Sequence, residues 1–166
     1  MYGPVAIVGY MGSGKSSVGR LLARRLGWEF ADLDREIERK ERRTIPEIFA
    51  ESGEEAFRNL EHKSLLNVLD GADERVVACG GGTVTHPGSR KVLRDVGTVF
   101  LEEDTGVLFG RTRGSRRPLR AGTPEEFGRR YSERIGHYRE VADLTIIMRN
   151  RPKDQVVEEI IRWLNG

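Results

Sequence analysis

Apolar positions along the chain follow two rhythms. Short apolar runs of strand length occur at Val5 to Val8, Trp28 to Leu33, Val76 to Cys79, Thr98 to Leu101 and Leu144 to Met148. Between them lie longer stretches whose apolar residues recur three or four positions apart, as in Val18, Leu22 and Leu26. The spacing predicts helices over Ser16 to Leu26, about 34–43, about 45–52, about 54–70, 87–96, about 105–112, 124–141 and 153–164. Gly27 stands where a helix stop belongs, Thr44-Ile45-Pro46-Glu47 has capping-box spacing, and Gly53 separates the third helix from the fourth. Strands alternating with helices argue an α/β domain built on a parallel sheet.

Composition narrows this further. The 166 residues suit one domain, and such a chain should bury ~70% of its unfolded surface without a disulfide or metal staple. No apolar run approaches the ~20 residues of a membrane span, and the start, MYGPVAIVG, has no basic segment or cleavable apolar stretch. The lone cysteine, Cys79, fits a reducing compartment, so a cytoplasmic protein with no membrane partner is expected. Neither Cys79 nor the three histidines show metal-ligand spacing. Net charge is only +2, which gives no reason to expect nucleic acid, yet residues 111–139 hold nine arginines against three glutamates. A local arginine concentration on a near-neutral protein suits a compact anion.

Gly9-Tyr10-Met11-Gly12-Ser13-Gly14-Lys15-Ser16 matches G-x-x-x-x-G-K-[ST] at every fixed position, after a strand and before a helix. Glycines let successive N–H groups of Gly12, Ser13, Gly14 and their neighbours through Ser17 turn toward an anion, at a helix start that favours negative charge. Lys15 can reach β- and γ-phosphates, and the Ser16 hydroxyl can ligate Mg²⁺. The loop leaves the acceptor open: water makes an NTPase, a bound hydroxyl makes a kinase. Neither a guanine-selecting Asn-Lys-x-Asp nor a Walker-B aspartate is present, the third strand running into Cys79-Gly80 instead.

Asp32-Leu33-Asp34 follows the second strand, at the sheet edge where ligands bind. Alternation along an extended strand end would aim both carboxylates to one face, one for a metal and one for a hydroxyl; a helix cap with a solvated turn is the plainer alternative. Arg58 and Glu61, three apart on a helix, can pair, either as a surface ion pair or as part of a site beside Phe49 and Phe57. Gly80-Gly81-Gly82 directly after a strand suggests close approach by a ligand, or a flexible turn.

From Gly9 to Glu61, at Gly80–Gly82, at Arg117-Pro118-Leu119 and at Arg134-x-x-x-Tyr138, the chain resembles shikimate kinase, in order and over essentially its whole length. The resemblance implies a single domain over 1–166 of the P-loop, nucleoside-monophosphate-kinase type. Its fold would be a three-layer α/β/α with a five-stranded parallel sheet in the order 2-3-1-4-5. It implies transfer of the ATP γ-phosphoryl to the 3-hydroxyl of shikimate, a step toward aromatic amino acids, with Mg²⁺ as cofactor. By this likeness Asp34 holds the reacting hydroxyl as base, and Ser16 and Asp32 serve the metal. Arg58 and Arg134 grip the carboxylate, Glu61 orients Arg58, Phe49 and Phe57 wall the ring, and Gly80, Gly81 and Gly82 line substrate and γ-phosphate. Arg117 matches a lid arginine within about 112–122, a stretch expected to be mobile without ligand. Arg111 and Pro152 match an adenine sandwich, and a monomer is expected. The chain departs from the pattern where Arg120 follows Leu119 in the lid, where Arg42 replaces a glycine after the second helix, and where Cys79 precedes the triple glycine. Another small-metabolite kinase, such as a gluconate kinase, and a catalytically silent nucleotide-binding module are the rival readings.

Overall fold

The computed structural model describes residues 3–113 and 122–166. Five strands form one parallel sheet in the order β2-β3-β1-β4-β5: β1 Val5–Val8, β2 Glu29–Asp32, β3 Arg75–Ala78, β4 Gly97–Glu102 and β5 Leu144–Ile147. The expected order is thus the one found. In the central register Val5 faces Val76 on one side and Gly97 on the other. All four residues of β1 are fully buried, as a strand covered on both faces must be.

Strand alternation divides the core in two. Val5 and Ile7 pack with Val18, Leu22, Val156 and Ile160 from α1 (Lys15–Leu26) and α7 (Lys153–Leu164). Ala6 and Val8 turn to the other layer, with Leu33, Ile37, Phe57, Leu65, Phe127 and Tyr138. That layer holds α2 (Leu33–Glu41), α3 (Ile45–Leu69), α4 (Pro87–Arg94), α5 (Thr105–Arg111) and α6 (Pro124–Val141).

Helix ends follow local chemistry. Thr44 caps α3 in a full capping box with Glu47, and Thr123 does the same for α6 with Glu126. The break anticipated at Gly53 is present as a kink within α3, its φ of 82° and ψ of 174° being glycine geometry. Arg42 ends α2 in the left-handed region at φ 54°, a conformation that costs a side chain about 1 kcal/mol. A short 3-10 turn, Thr83–Thr85, follows the glycine run, and no apolar period announces it.

One expectation needs correcting. The second strand ends at Asp32, and Leu33 already begins α2. Asp32 and Asp34 therefore do not share a face by strand alternation; Asp32 is the N-cap and Asp34 lies in the first helical turn. Among the described residues no helix is long and apolar enough to cross a membrane.

Candidate active site

At the carboxyl edge of the sheet lies a cleft of about 1170 Å³. It is bounded by the glycine-rich loop, the start of α2, the middle of α3, the Gly80–Gly82 run, Arg111 and Arg134. One end is built for phosphate. The N-cap of α1 is Gly14, left-handed at φ 91°, with no side-chain cap and no acidic residue in the first turn. The helices α2, α3 and α6 each carry a side-chain cap, so the bare start of α1 leaves its N–H groups to an anion. Lys15 is buried at the cleft and its Nζ donates to the Tyr10 carbonyl at 3.0 Å. Gly12 is held at φ 85°, where an added Cβ would meet the Leu108 carbonyl at 3.0 Å. Arg111 closes this end, its guanidinium donating to the Gly12 carbonyl at 3.2 Å and to Asn150 Oδ1 at 2.5 Å.

Beside the phosphate end, the Ser16 hydroxyl donates to Asp32 Oδ2 at 2.6 Å, while Asp32 Oδ1 takes the Arg35 N–H at 3.3 Å. Asp32 thus caps its helix, as the plainer alternative had it, and also lines the cleft.

The other end is built from arginines. Arg58 is 9% exposed and donates to Glu61 Oε1 at 2.9 Å, with Glu54 at 3.4 Å. Glu61 is 1% exposed, and its second oxygen accepts the buried Thr83 hydroxyl at 2.9 Å. Burial pushes the Glu61 carboxyl above the usual range, and the Arg58 guanidinium opposes that push. Phe49 and Phe57 pack at a tilt, ring centroids 4.8 Å apart, beside this pair, and both line the cleft. Arg134, 7% exposed, faces the cleft from α6 and makes no carboxylate pair among the described residues. Its guanidinium rests on the Tyr10 ring, 5.4 Å from the centroid.

The glycine run joins these parts. An added Cβ on Gly80 would stand 2.5 Å from Glu61 Oε2 and 3.0 Å from Asp34 Oδ1. On Gly81 it would meet the Met11 N at 3.2 Å, and on Gly82 it would drive into the Arg58 guanidinium. Asp34 and Glu61 therefore both lie against Gly80, one residue before the glycine that meets the phosphate loop.

Of the residues anticipated from the sequence, Gly12, Gly14, Lys15, Ser16, Ser17, Asp32, Asp34, Phe49, Phe57, Arg58, Glu61, Gly80, Gly81, Gly82, Arg111 and Arg134 line the one cleft. Ser13 is fully buried within the loop and Pro152 is the N-cap of α7, both outside the lining. Arg117, with the segment 114–121 of the anticipated lid, falls outside the described residues. Thr83, Tyr10 and Arg35 were not foreseen as site residues. Thr83 could have been suspected from its place directly after the glycine run, but Tyr10 occupies a position that the loop motif leaves free.

Comparison with known proteins agrees with this geometry. The family model for shikimate kinase matches residues 11–165. A shikimate kinase of Symbiobacterium thermophilum is 40% identical, over 96% of this chain and 95% of its own. That of Geobacter sulfurreducens is 42% identical, over 96% and 90%. The solved shikimate kinase from Acinetobacter baumannii in complex with shikimate superposes with a TM-score of 0.92 at 38% identity, covering 99% of this chain and 93% of that one.

Proposed function

Since the chain belongs to the shikimate kinase family, we propose that its cleft transfers the γ-phosphoryl group of ATP to the 3-hydroxyl of shikimate, giving shikimate 3-phosphate and ADP. The observation that carries this reading is one cleft with an uncapped helix start and Lys15 at one end, two buried arginines at the other, and Asp34 in its lining beside Gly80. The phosphate end suits a triphosphate, and the arginine end suits a small carboxylate.

Phosphoryl transfer asks mostly for positioning and for charge placed where it develops. Lys15 and the α1 amides hold the β- and γ-phosphates. Asp34 accepts the proton of the attacking hydroxyl, and the Gly80 backbone, with no side chain, lets that hydroxyl come close. Arg58, locked by Glu61, presents a fixed fork to the carboxylate, while Arg134 brings a charge with no carboxylate of its own. Phe49 and Phe57 wall the ring, and Arg111 stands at the nucleotide end with Pro152 nearby in sequence after Asn150. Arg117, whose Arg-Pro-Leu motif resembles that of the family's lid arginine, is assigned to the transferring phosphate.

Ser16 and Asp32 fit Mg²⁺, because a hydroxyl and a carboxylate oxygen 2.6 Å apart beside the phosphate end are hard donors that leave room for phosphate oxygens and water. Bound there, the ion would neutralise charge on the phosphates. The proposal extends to one domain spanning the chain, working as a cytoplasmic monomer.

ADP release measured with shikimate, with gluconate and with no acceptor tests the assignment. Release should depend on shikimate, and equal release without it would end the kinase reading. A preference for gluconate would leave the nucleotide end standing and refute the acceptor.

A further inference from the structure

Tyr10 belongs to the nucleotide loop by sequence, yet its side chain does not reach the nucleotide end of the cleft. The ring is fully buried and turned toward α6, where it stacks on Tyr131 at 5.2 Å and against Phe127 at 4.8 Å. The Arg134 guanidinium lies over the same ring, 5.4 Å from its centroid. The backbone of Tyr10 does something different: its carbonyl takes the Lys15 ammonium at 3.0 Å. One residue thus divides its parts, main chain toward the phosphates and side chain toward the carboxylate.

The two arginines of the acid end are supported unequally. Arg58 is held by Glu61 and Glu54, two carboxylates. Arg134 is as buried as Arg58 but has no carboxylate partner among the described residues. A desolvated cation without a counter-ion needs another source of negative potential, and the face of an aromatic ring supplies one. Tyr138, next on the same helix face, donates its hydroxyl to the Gly81 carbonyl and brings the hydroxyl oxygen to Arg134 as a neutral neighbour, so it adds no counter-charge.

We infer that Tyr10 is a positioning residue for the acid substrate: its ring holds Arg134 charged and aimed into the cleft, without a carboxylate that would compete with the substrate's own. This rests on the reading of Arg134 as a carboxylate ligand given above. A ring suits the task better than an acid, because a glutamate in its place would pair with Arg134 and have to be displaced at each turnover. The Tyr10 hydroxyl, buried beside Arg130 without a well-formed hydrogen bond, is not needed for it.

The test begins with shikimate-dependent ADP release by the unaltered protein, which settles the underlying reading independently. Tyr10→Leu should then raise KM for shikimate roughly 5- to 30-fold, with KM for ATP within ~2-fold, since the carbonyl that holds Lys15 is unchanged. Tyr10→Phe should restore the shikimate KM to within ~2-fold of the starting value. Should Tyr10→Leu fail to fold, Tyr10→Phe carrying one, two or five ring fluorines keeps the shape while draining the ring face, and shikimate affinity should fall in that order. Equal rises of both KM values in Tyr10→Leu, or a flat fluorine series in a protein that does phosphorylate shikimate, would overturn the inference.

Discussion

Replacing Gly82 by alanine should disable the acid end of the cleft while leaving the nucleotide end intact. The Gly82 backbone, at φ −106° and ψ 7°, is open to alanine, so the change strains no dihedral in the left-handed region. What the new methyl meets is the Arg58 guanidinium, with Nη1 at 2.5 Å and Nη2 nearer still. Ordinary contact begins at 3.4 Å, so the guanidinium must retreat by roughly 1 Å. It is the far end of a flexible side chain and can do so, but only by leaving the geometry set by Glu61. A displacement of ~1 Å at a positioning group costs about 10²-fold in kcat/KM. Weakening the buried pair should cost ~1–3 kcal/mol of stability, partly offset by ~0.4–1 kcal/mol from the stiffer unfolded chain. Calorimetric titration with shikimate and with an ATP analogue, beside a thermal melt, separates these effects: acid affinity should fall and nucleotide affinity hold. In an Arg58→Ala background the same substitution should add little, because the atom it strikes is gone. Unchanged acid affinity in Gly82→Ala, or full additivity with Arg58→Ala, would show that Arg58 does not grip the substrate.

Asp34→Asn should fold normally and lose ~10²–10⁴-fold in kcat, measured by coupled ADP release, since an amide cannot take the hydroxyl proton. Cys79, 3% exposed and with burial pushing its thiol well above the usual range, should resist iodoacetamide in the native state and react once unfolded. Because the folded state keeps that proton longer than the unfolded one, Cys79 should lower stability as pH rises past ~8.5, and Cys79→Ser should flatten that part of a stability–pH curve. Arg42→Gly should raise stability by about 0.5–1 kcal/mol, read as a Tm increase of about 2–3 °C, by relieving the left-handed residue at the end of α2.

What could be read from the sequence was whatever depends on local spacing. The loop from Gly9 to Ser16 is contiguous, and its geometry follows from its own glycines. The sheet order followed from family likeness, and the Gly53 kink from a glycine placed between two apolar periods. Asp32 and Asp34 show where local reading fails: their spacing was right for a shared cleft, but the route was a helix start, because capping by Asp32 ends the strand one residue early. Contacts between distant segments stayed hidden. Thr83 reaches Glu61 across 22 positions, and Arg134 reaches Tyr10 across the fold. Neither residue type signals such a partner, since a buried threonine and a buried tyrosine are ordinary core residues until their neighbours are known. Arg42 departs from glycine yet keeps the turn, its exposed side chain leaving only the backbone cost.

Three consecutive glycines explain how one small cleft keeps its parts at working distance. Gly80 lies against the acids Asp34 and Glu61, Gly81 against the nucleotide loop at Met11, and Gly82 against Arg58. Their φ values do not force the choice, since none of the three is in the left-handed region. The requirement is space. Each missing Cβ admits a different functional group to the same stretch of backbone, and the Gly81 carbonyl is tied in turn to Tyr138 on α6. Asp34, the phosphate loop and the Arg58 guanidinium thereby meet one stretch of backbone just after β3, with no side chain of that stretch packed between them. A turn chosen only for flexibility would need one glycine, and it would not set a different part of the cleft against each residue.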